Sequence, residues 1–211
     1  MNIENKQVCR NVLIIAAALR KLNVEVDIRL NAGKAKFGAA LDGYTRNLAA
    51  NPAHESFFWY AGHGIQCGYR NYLLPVDAGV ESERTLQRDA HSLDELLANQ
   101  EEARNKVHVV ALDARRNNPL PSSSRGAREK RGLAVIQDVP GDLFMMFSTA
   151  PGDVADGGKG NRNSPCTEAF LKHIDSGEPL SLMATDVIHE SMRLTNYIQR
   201  PVSRAGGGGS V

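Results

Sequence analysis

Apolar residues recur along the first part of the chain at two spacings, one typical of helices and one typical of strands. Between residues 8 and 22 they lie three or four positions apart, which predicts an amphipathic helix. Residues 24–30 alternate apolar and charged side chains, the pattern of a half-buried strand. Residues 37–48 return to the helical spacing, and residues 56–60 form an aromatic run typical of a buried strand. Residues 71–74 predict a further short extended piece.

The second half of the chain continues this alternation of helices and strands. Ser92-Leu93-Asp94-Glu95 is a capping box that opens a helix, and residues 107–112 are apolar enough for a central strand covered on both faces. Residues 142–149 contain another buried strand, Ser164-Pro165 opens a helix, and residues 182–194 predict a last helix. Strands separated by helices favour an α/β fold, a three-layer α/β/α sandwich with a mostly parallel central sheet.

The length of 211 residues suits one domain with a sizeable core. We expect that domain to cover residues 1–204, with residues 205–211 as a flexible, glycine-rich tail. A polar, basic stretch without apolar periodicity, residues 119–132, predicts a loop. This loop divides the domain into a larger part, residues 1–118, and a smaller part, residues 133–204.

Composition and charge exclude several classes of protein. Hydrophobic residues at 42% and charged residues at 23% are close to soluble globular averages. The net charge of +1 offers no general attraction for nucleic acid or an anionic membrane, so we expect neither as a partner. Cys9, Cys67 and Cys166 are odd in number and widely separated, which predicts no disulfide framework, no zinc site and no other cofactor. We therefore expect a cytoplasmic location.

Two predicted strands end in residues that can carry chemistry. The strand at 56–60 runs into Ala61-Gly62-His63-Gly64, and the strand at 107–112 runs into Asp113-Ala114-Arg115-Arg116. Ligands bind beyond the carboxyl ends of the strands in open parallel sheets. We therefore expect these two segments to lie side by side.

Five segments resemble the bacterial caspase-like cysteine peptidases, including those of the metacaspase type. They are residues 57–64, 71–77, 112–119, 147–152 and 163–165. The resemblance extends over roughly residues 5–175 and implies the caspase-like fold. In that family an Asp-Ala-X-Arg motif carries the nucleophilic cysteine at X, about 50 residues after the histidine. Here the spacing is retained, and Arg115 stands at X.

The resemblance implies a cysteine endopeptidase site built on two of these segments. In such a site a thiolate attacks the peptide carbonyl, and histidine stabilises the thiolate and later protonates the leaving amine. His63 matches that histidine. The backbone N–H of Gly64 and that of position 115 match the donors that hold the oxyanion.

The resemblance also implies residues that bind the substrate. Asp113 matches an acidic residue of the primary specificity pocket in relatives that cleave after Arg or Lys, and Asp153 matches its partner. A pair of carboxylates there would select a basic side chain. Asp153 could equally be an ordinary loop aspartate with no role in the pocket. Ser148 and Ala150 belong to the segment that lines the substrate groove, so the implied partner is a peptide or protein with basic residues.

Arg115 removes the chemistry that the rest of the site implies. A guanidinium stays protonated and has no nucleophilic lone pair. We therefore expect an inactive chain, with Arg115 lying between Asp113 and Asp153 as a built-in basic ligand. The basic residues of the predicted loop lie where relatives are cleaved during processing. Without the cysteine we expect no cleavage at this loop. The alternative interpretation is an ordinary solvated loop. These residues are Arg125, Arg128, Lys130 and Arg131.

Three functions remain open. The chain is an inactive peptidase domain by descent, a pseudo-peptidase that binds basic peptides or an active homologue, or an active peptidase altered at position 115 or using another thiol. Cys166 suits that last role better than Cys67, because it lies in the first turn of a helix. Relatives also begin with a strand that this chain lacks. We expect a gap between the strands at 24–30 and 56–60, and a truncated, mis-assigned or decayed amino terminus.

Overall fold

The structure is a computed structural model that describes residues 3–103, 107–115, 136, 139, 143–150 and 162–206. Within these ranges, six helices lie on the faces of one six-stranded sheet. The helices are α1 Ile3–Lys21, α2 Lys34–Ala50, α3 Glu83–Asp89, α4 Leu93–Ala103, α5 Pro165–His173 and α6 Leu180–Leu194. The strands are β1 Ser56–Cys67, β2 Arg70–Leu74, β3 His91–Ser92, β4 His108–Arg115, β5 Leu143–Phe147 and β6 Val202–Ala205.

The sheet is mixed, with the order β3-β2-β1-β4-β5-β6. The three central strands, β1, β4 and β5, are parallel, whereas β2, β3 and β6 join them antiparallel. Parallel strands need crossover connections, and the helices of those connections cover both faces. The α/β class predicted from the sequence is confirmed, and its parallel part is the centre of the sheet.

Alternate side chains of the central strands enter two separate cores. On one face, Val110 and Leu112 of β4 pack with α4 and with partly buried residues of α2. On the other face, Ala111 of β4 and Met146 of β5 pack with α1, α5 and α6. The sheet is therefore sandwiched between two helical layers, as the sequence pattern predicts.

Residues 24–30 correct one expectation from the sequence. They form no strand, although their apolar and polar residues alternate. Val26 and Ile28 are half-buried, with Val26 packed against the core that α1 covers, and Leu30 remains 40% exposed. A strand needs a hydrogen-bonded neighbour, and within the described parts of the chain none lies beside this segment.

One edge of the aromatic strand is open among the described residues, although the strand expected on the far side of the gap does not form. β1 pairs with β4 along residues 56–63, but on its other edge β2 pairs only from His63 onward. The edge of residues 56–62 that faces away from β4 therefore has no strand neighbour in this part of the structure. Open edges of this kind are a known liability of sheets.

Other boundaries also differ from the expectations. β1 continues past residue 60 to Cys67, because β2 pairs with its second half. Ala205 closes β6, so the expected tail at 205–211 starts too early, and its residues 207–211 lie outside the described chain. The loop predicted at 119–132 also lies outside it.

Hydrogen exchange can test the isolation of residues 24–30. We expect the backbone amides of residues 25–30 to exchange with little protection, because no ladder holds them, whereas Val110 and Leu112 in β4 should be strongly protected. The measurement is amide exchange by NMR or mass spectrometry on the folded chain. Equal protection of the two segments would mean that residues 24–30 belong to a sheet.

Candidate active site

The histidine of the site lies where β1 changes its pairing partner. The ladder between β1 and β4 ends with Ala61 opposite Asp113 and His63 opposite Arg115. His63 is also the first residue of β1 to pair with β2, opposite Leu74. The two segments predicted to lie side by side are therefore neighbours at the carboxyl ends of parallel strands, and that prediction is confirmed.

A buried tyrosine hydroxyl meets the backbone at this point. The Tyr60 hydroxyl lies 2.8 Å from the carbonyl oxygen of His63 and 2.9 Å from that of Leu74, and it accepts the Leu74 N–H at 3.2 Å. Burial has the largest effect on the pKa of Tyr60 and raises it, although backbone hydrogen bonds with Leu74 and His63 oppose this. The hydroxyl therefore keeps its proton and can donate.

Asp113 is buried, with 8% of its surface exposed, and it lies at the amino terminus of α5. Its Oδ2 accepts hydrogen bonds from the hydroxyl of Ser164 and, at 2.9 Å, from the hydroxyl of Thr167. Ser164 is also the N-cap of α5, since its Oγ accepts the backbone N–H of Thr167 at 3.1 Å. The hydroxyl donors and the positive end of the helix dipole both favour the ionised carboxylate.

The segment resembling a substrate groove continues from β5. The Ser148 backbone N–H donates to the carbonyl of Leu112 at 2.9 Å, and the Ser148 carbonyl accepts from Nε2 of Gln199 at 2.6 Å. The side chain of Ser148 is buried, with 1% of it exposed, whereas Ala150 is half-buried. Both backbone polar groups of Ser148 are therefore bonded within the fold, and Ala150 is the more exposed of the two residues.

The described residues include only part of the predicted site. Gly64 is buried in β1 opposite Leu73, and the backbone of Arg115 ends β4. The Arg115 side chain, Asp153 and the four basic loop residues lie outside the described residues, the last being Arg125, Arg128, Lys130 and Arg131. The contact of Arg115 with Asp113 and Asp153 therefore stays a prediction.

The environments of the three cysteine thiols bear on whether another thiol could act as a nucleophile. Cys166 is buried in the first turn of α5, and burial, together with the charge of Asp113, raises its pKa well above the ordinary value. Partial desolvation and the neighbouring Glu83 carboxylate raise the pKa of Cys67. Cys9, which lies on α1, donates its S–H to Oδ1 of Asn31 at 3.4 Å. An active cysteine needs the opposite environment, one that stabilises the thiolate.

Sequence reasoning missed the groups that hold the two central residues. Ser164 was identified only as a helix cap and Tyr60 only as part of an aromatic strand. No sequence pattern marks Thr167. Their roles depend on contacts between distant parts of the chain, so the one available signal was the position of Ser164 immediately before Pro165.

Metal-binding clusters and membrane-spanning helices are both absent from the described ranges. They contain no group of three or more His, Cys, Asp or Glu side chains arranged to hold a metal ion. None of their helices is both long enough and apolar enough to span a bilayer.

Thiol alkylation can test the status of Cys166. Near neutral pH we expect iodoacetamide to modify Cys67 much faster than Cys166 in the folded chain, because Cys166 is 1% exposed and its thiol resists ionisation. Peptide mass spectrometry gives both rates, and labelling after unfolding provides the control in which Cys166 should react. Rapid labelling of Cys166 in the folded chain would contradict the geometry.

A comparison with known proteins identifies the family. The search of curated proteins found no match to the chain in sequence. The family model described as the caspase domain, of the C14 peptidases, matches residues 6–205. This range includes all six strands of the described sheet and both segments that meet at His63. The chain therefore belongs to the caspase-domain peptidase family.

Proposed function

We propose that this chain is a caspase-type cysteine endopeptidase domain that has lost hydrolytic activity at position 115. The observation that carries the proposal is the register of β1 and β4, in which position 115 pairs with His63. Adjacent strands lie about 4.8 Å apart, so a thiol at position 115 would be within reach of the imidazole. The parts of the site fit a nucleophile and its acid/base partner.

Each group would then have a defined step. His63 would stabilise a thiolate at position 115 during attack on the peptide carbonyl and protonate the departing amine. The backbone N–H groups of Gly64 and of position 115 would hold the oxyanion. With arginine at position 115 the attacking group is missing, because a guanidinium has no nucleophilic lone pair.

Asp113 supports a preference for basic substrates. It is a buried carboxylate whose ionised form is stabilised by two hydroxyl donors and by the amino terminus of α5. An ionised carboxylate in the specificity pocket would select Arg or Lys by charge and hydrogen bonding. We propose that Asp153 completes this pocket and that Arg115 occupies it in the present chain.

Restoring the thiol tests the loss of activity. We expect Arg115→Cys to cleave fluorogenic peptides with Arg or Lys before the scissile bond roughly 100-fold faster than Arg115→Ala, the matched control, because only the thiol gives His63 a nucleophile to activate. The unaltered chain should match the control and remain a single polypeptide. The proposal fails if the unaltered chain cleaves as fast as Arg115→Cys, or if a folded Arg115→Cys protein cleaves none of the peptides.

The same peptides report the specificity. A preference for Arg or Lys over Asp is expected if Asp113 lines the specificity pocket. A preference for Asp would leave the peptidase proposal standing and overturn the role given to Asp113.

Removing the guanidinium tests whether Arg115 fills the pocket. We expect Arg115→Ala to bind a peptide aldehyde ending in Arg more tightly than the unaltered chain does, by tenfold or more, because the carboxylates would lose their internal cation. Calorimetric titration measures both affinities, and an aldehyde ending in Asp serves as the control ligand. If Arg115→Ala binds no more tightly than the unaltered chain, the guanidinium does not occupy the pocket.

A further inference from the structure

His63 lies where the ladder between β1 and β4 ends and the ladder between β1 and β2 begins. Up to this residue β1 is held by β4 on one edge only, and from this residue onward β2 takes over on the other edge. β4 ends opposite His63, at Arg115. The backbone of His63 is thus paired on both edges only at this one position, so a contact that ties β1 to β2 here also acts on the histidine.

The Tyr60 hydroxyl supplies an interaction at this junction. It contacts the carbonyl of His63, and it bridges to β2 through both the carbonyl and the N–H of Leu74. Its single proton is donated to one of the two carbonyls at a time, while its oxygen accepts the Leu74 N–H. The hydroxyl thereby links His63 and Leu74, the first pair of the β1–β2 ladder.

The Tyr60 hydroxyl can reach the backbone carbonyl of His63 because Gly62, which lies on the same face of β1 as Tyr60, has no side chain. A Cβ atom at Gly62 would lie 2.6 Å from the Tyr60 hydroxyl oxygen and 2.8 Å from the ring carbon that bears it. On its other side the ring is stacked on Phe37 of α2, with centroids 5.8 Å apart and planes 1° apart. Gly62 and Phe37 together keep the ring lying along the strand.

We propose that Tyr60 is the positioning residue for His63, acting through the backbone carbonyl of that histidine. The inference rests on the proposed function, in which His63 is the acid/base of a cysteine peptidase site. A small displacement of a catalytic group lowers the rate of an enzyme strongly, since reaction requires the groups to meet at close range. The hydroxyl of Tyr60 would limit that displacement without touching the substrate.

Tyr44 provides a matched control within the same fold. Its hydroxyl donates to Oγ of Ser56 at 2.9 Å and accepts from Nε2 of Gln100 at 3.0 Å. Ser56 is the first residue of β1, at the end of the strand opposite to the site. Tyr44→Phe and Tyr60→Phe each remove one largely buried hydroxyl with hydrogen-bond partners, but only the second lies beside His63.

The first experiment uses the chain as it exists and needs no activity. NMR spectra of the unaltered chain, Tyr60→Phe and Tyr44→Phe are compared, with the His63 signals assigned from a His63→Gln variant. We expect Tyr60→Phe to shift the backbone amide and imidazole signals of His63, and Tyr44→Phe to leave them in place. Equal shifts, or none, in the two variants overturn the proposal.

The second experiment measures turnover in the Arg115→Cys background. We expect Tyr60→Phe to lower kcat about tenfold with little change in KM, and Tyr44→Phe to leave kcat nearly unchanged, because only the first loosens the acid/base group. Equal effects of the two variants on kcat would show a purely structural role and overturn the proposal. If Arg115→Cys is inactive with Tyr60 intact, the proposed function fails, and the NMR comparison alone decides the role of Tyr60.

A further variant covers the case in which Tyr60→Phe does not fold. Gly62→Ala keeps the hydroxyl but forces it away from its present position, because of the short contact with the added Cβ. We expect Gly62→Ala to shift the His63 signals and lower kcat in the same direction as Tyr60→Phe. Gly43→Ala, on α2 where an added Cβ meets no atom within 4 Å, is its control. An unchanged His63 in a folded Gly62→Ala protein would overturn the proposal.

Discussion

The parallel pairing of β1 with β4 is the constraint on which the rest of the structure depends. It runs without a break from Ser56 opposite His108 to His63 opposite Arg115. Because side chains alternate between faces, a slip of one residue would exchange the two cores and also separate the site residues. The buried apolar residues of β4 hold this register, since Val110 and Leu112 face one helical layer and Ala111 faces the other. Core packing thus decides what stands beside His63.

The sequence predicted the strands that a local residue pattern marks. It failed for the segment whose structure depends on pairing with a distant strand. The aromatic run at 56–60 and the apolar run at 107–112 were identified as buried strands, and the rule that ligands bind beyond such strands located His63 and Asp113 together. Residues 24–30 show the opposite case. Their alternation satisfies the pattern of a strand, but no neighbour pairs with them in the described structure. Alternation reports which face is buried, not which partner is present.

The supporting contacts of the site could not be predicted for the same reason. Asp113 receives its hydrogen bonds from Ser164 and Thr167, about fifty positions away in the chain. No spacing rule connects a strand end to the cap of a helix so far along. The reach of Tyr60 to His63 spans three residues, but it depends on Gly62 lacking a side chain and on Phe37 arriving from α2. Both sets of contacts appear only when the layers are assembled.

Asp113 and position 115 differ in what they contribute to folding. A change at Asp113 would leave two buried hydroxyls without an acceptor, at a cost of about 1–3 kcal/mol for each unsatisfied group. It would also remove a carboxylate from the amino terminus of α5. Position 115 is the last residue of β4, where only its backbone belongs to the sheet pairing. The hydrogen bonds of Asp113 therefore contribute to the stability of the fold as well as to the specificity pocket that we propose. The register of β1 and β4 is held by the buried residues of β4 rather than by its last residue, so it is compatible with arginine at position 115.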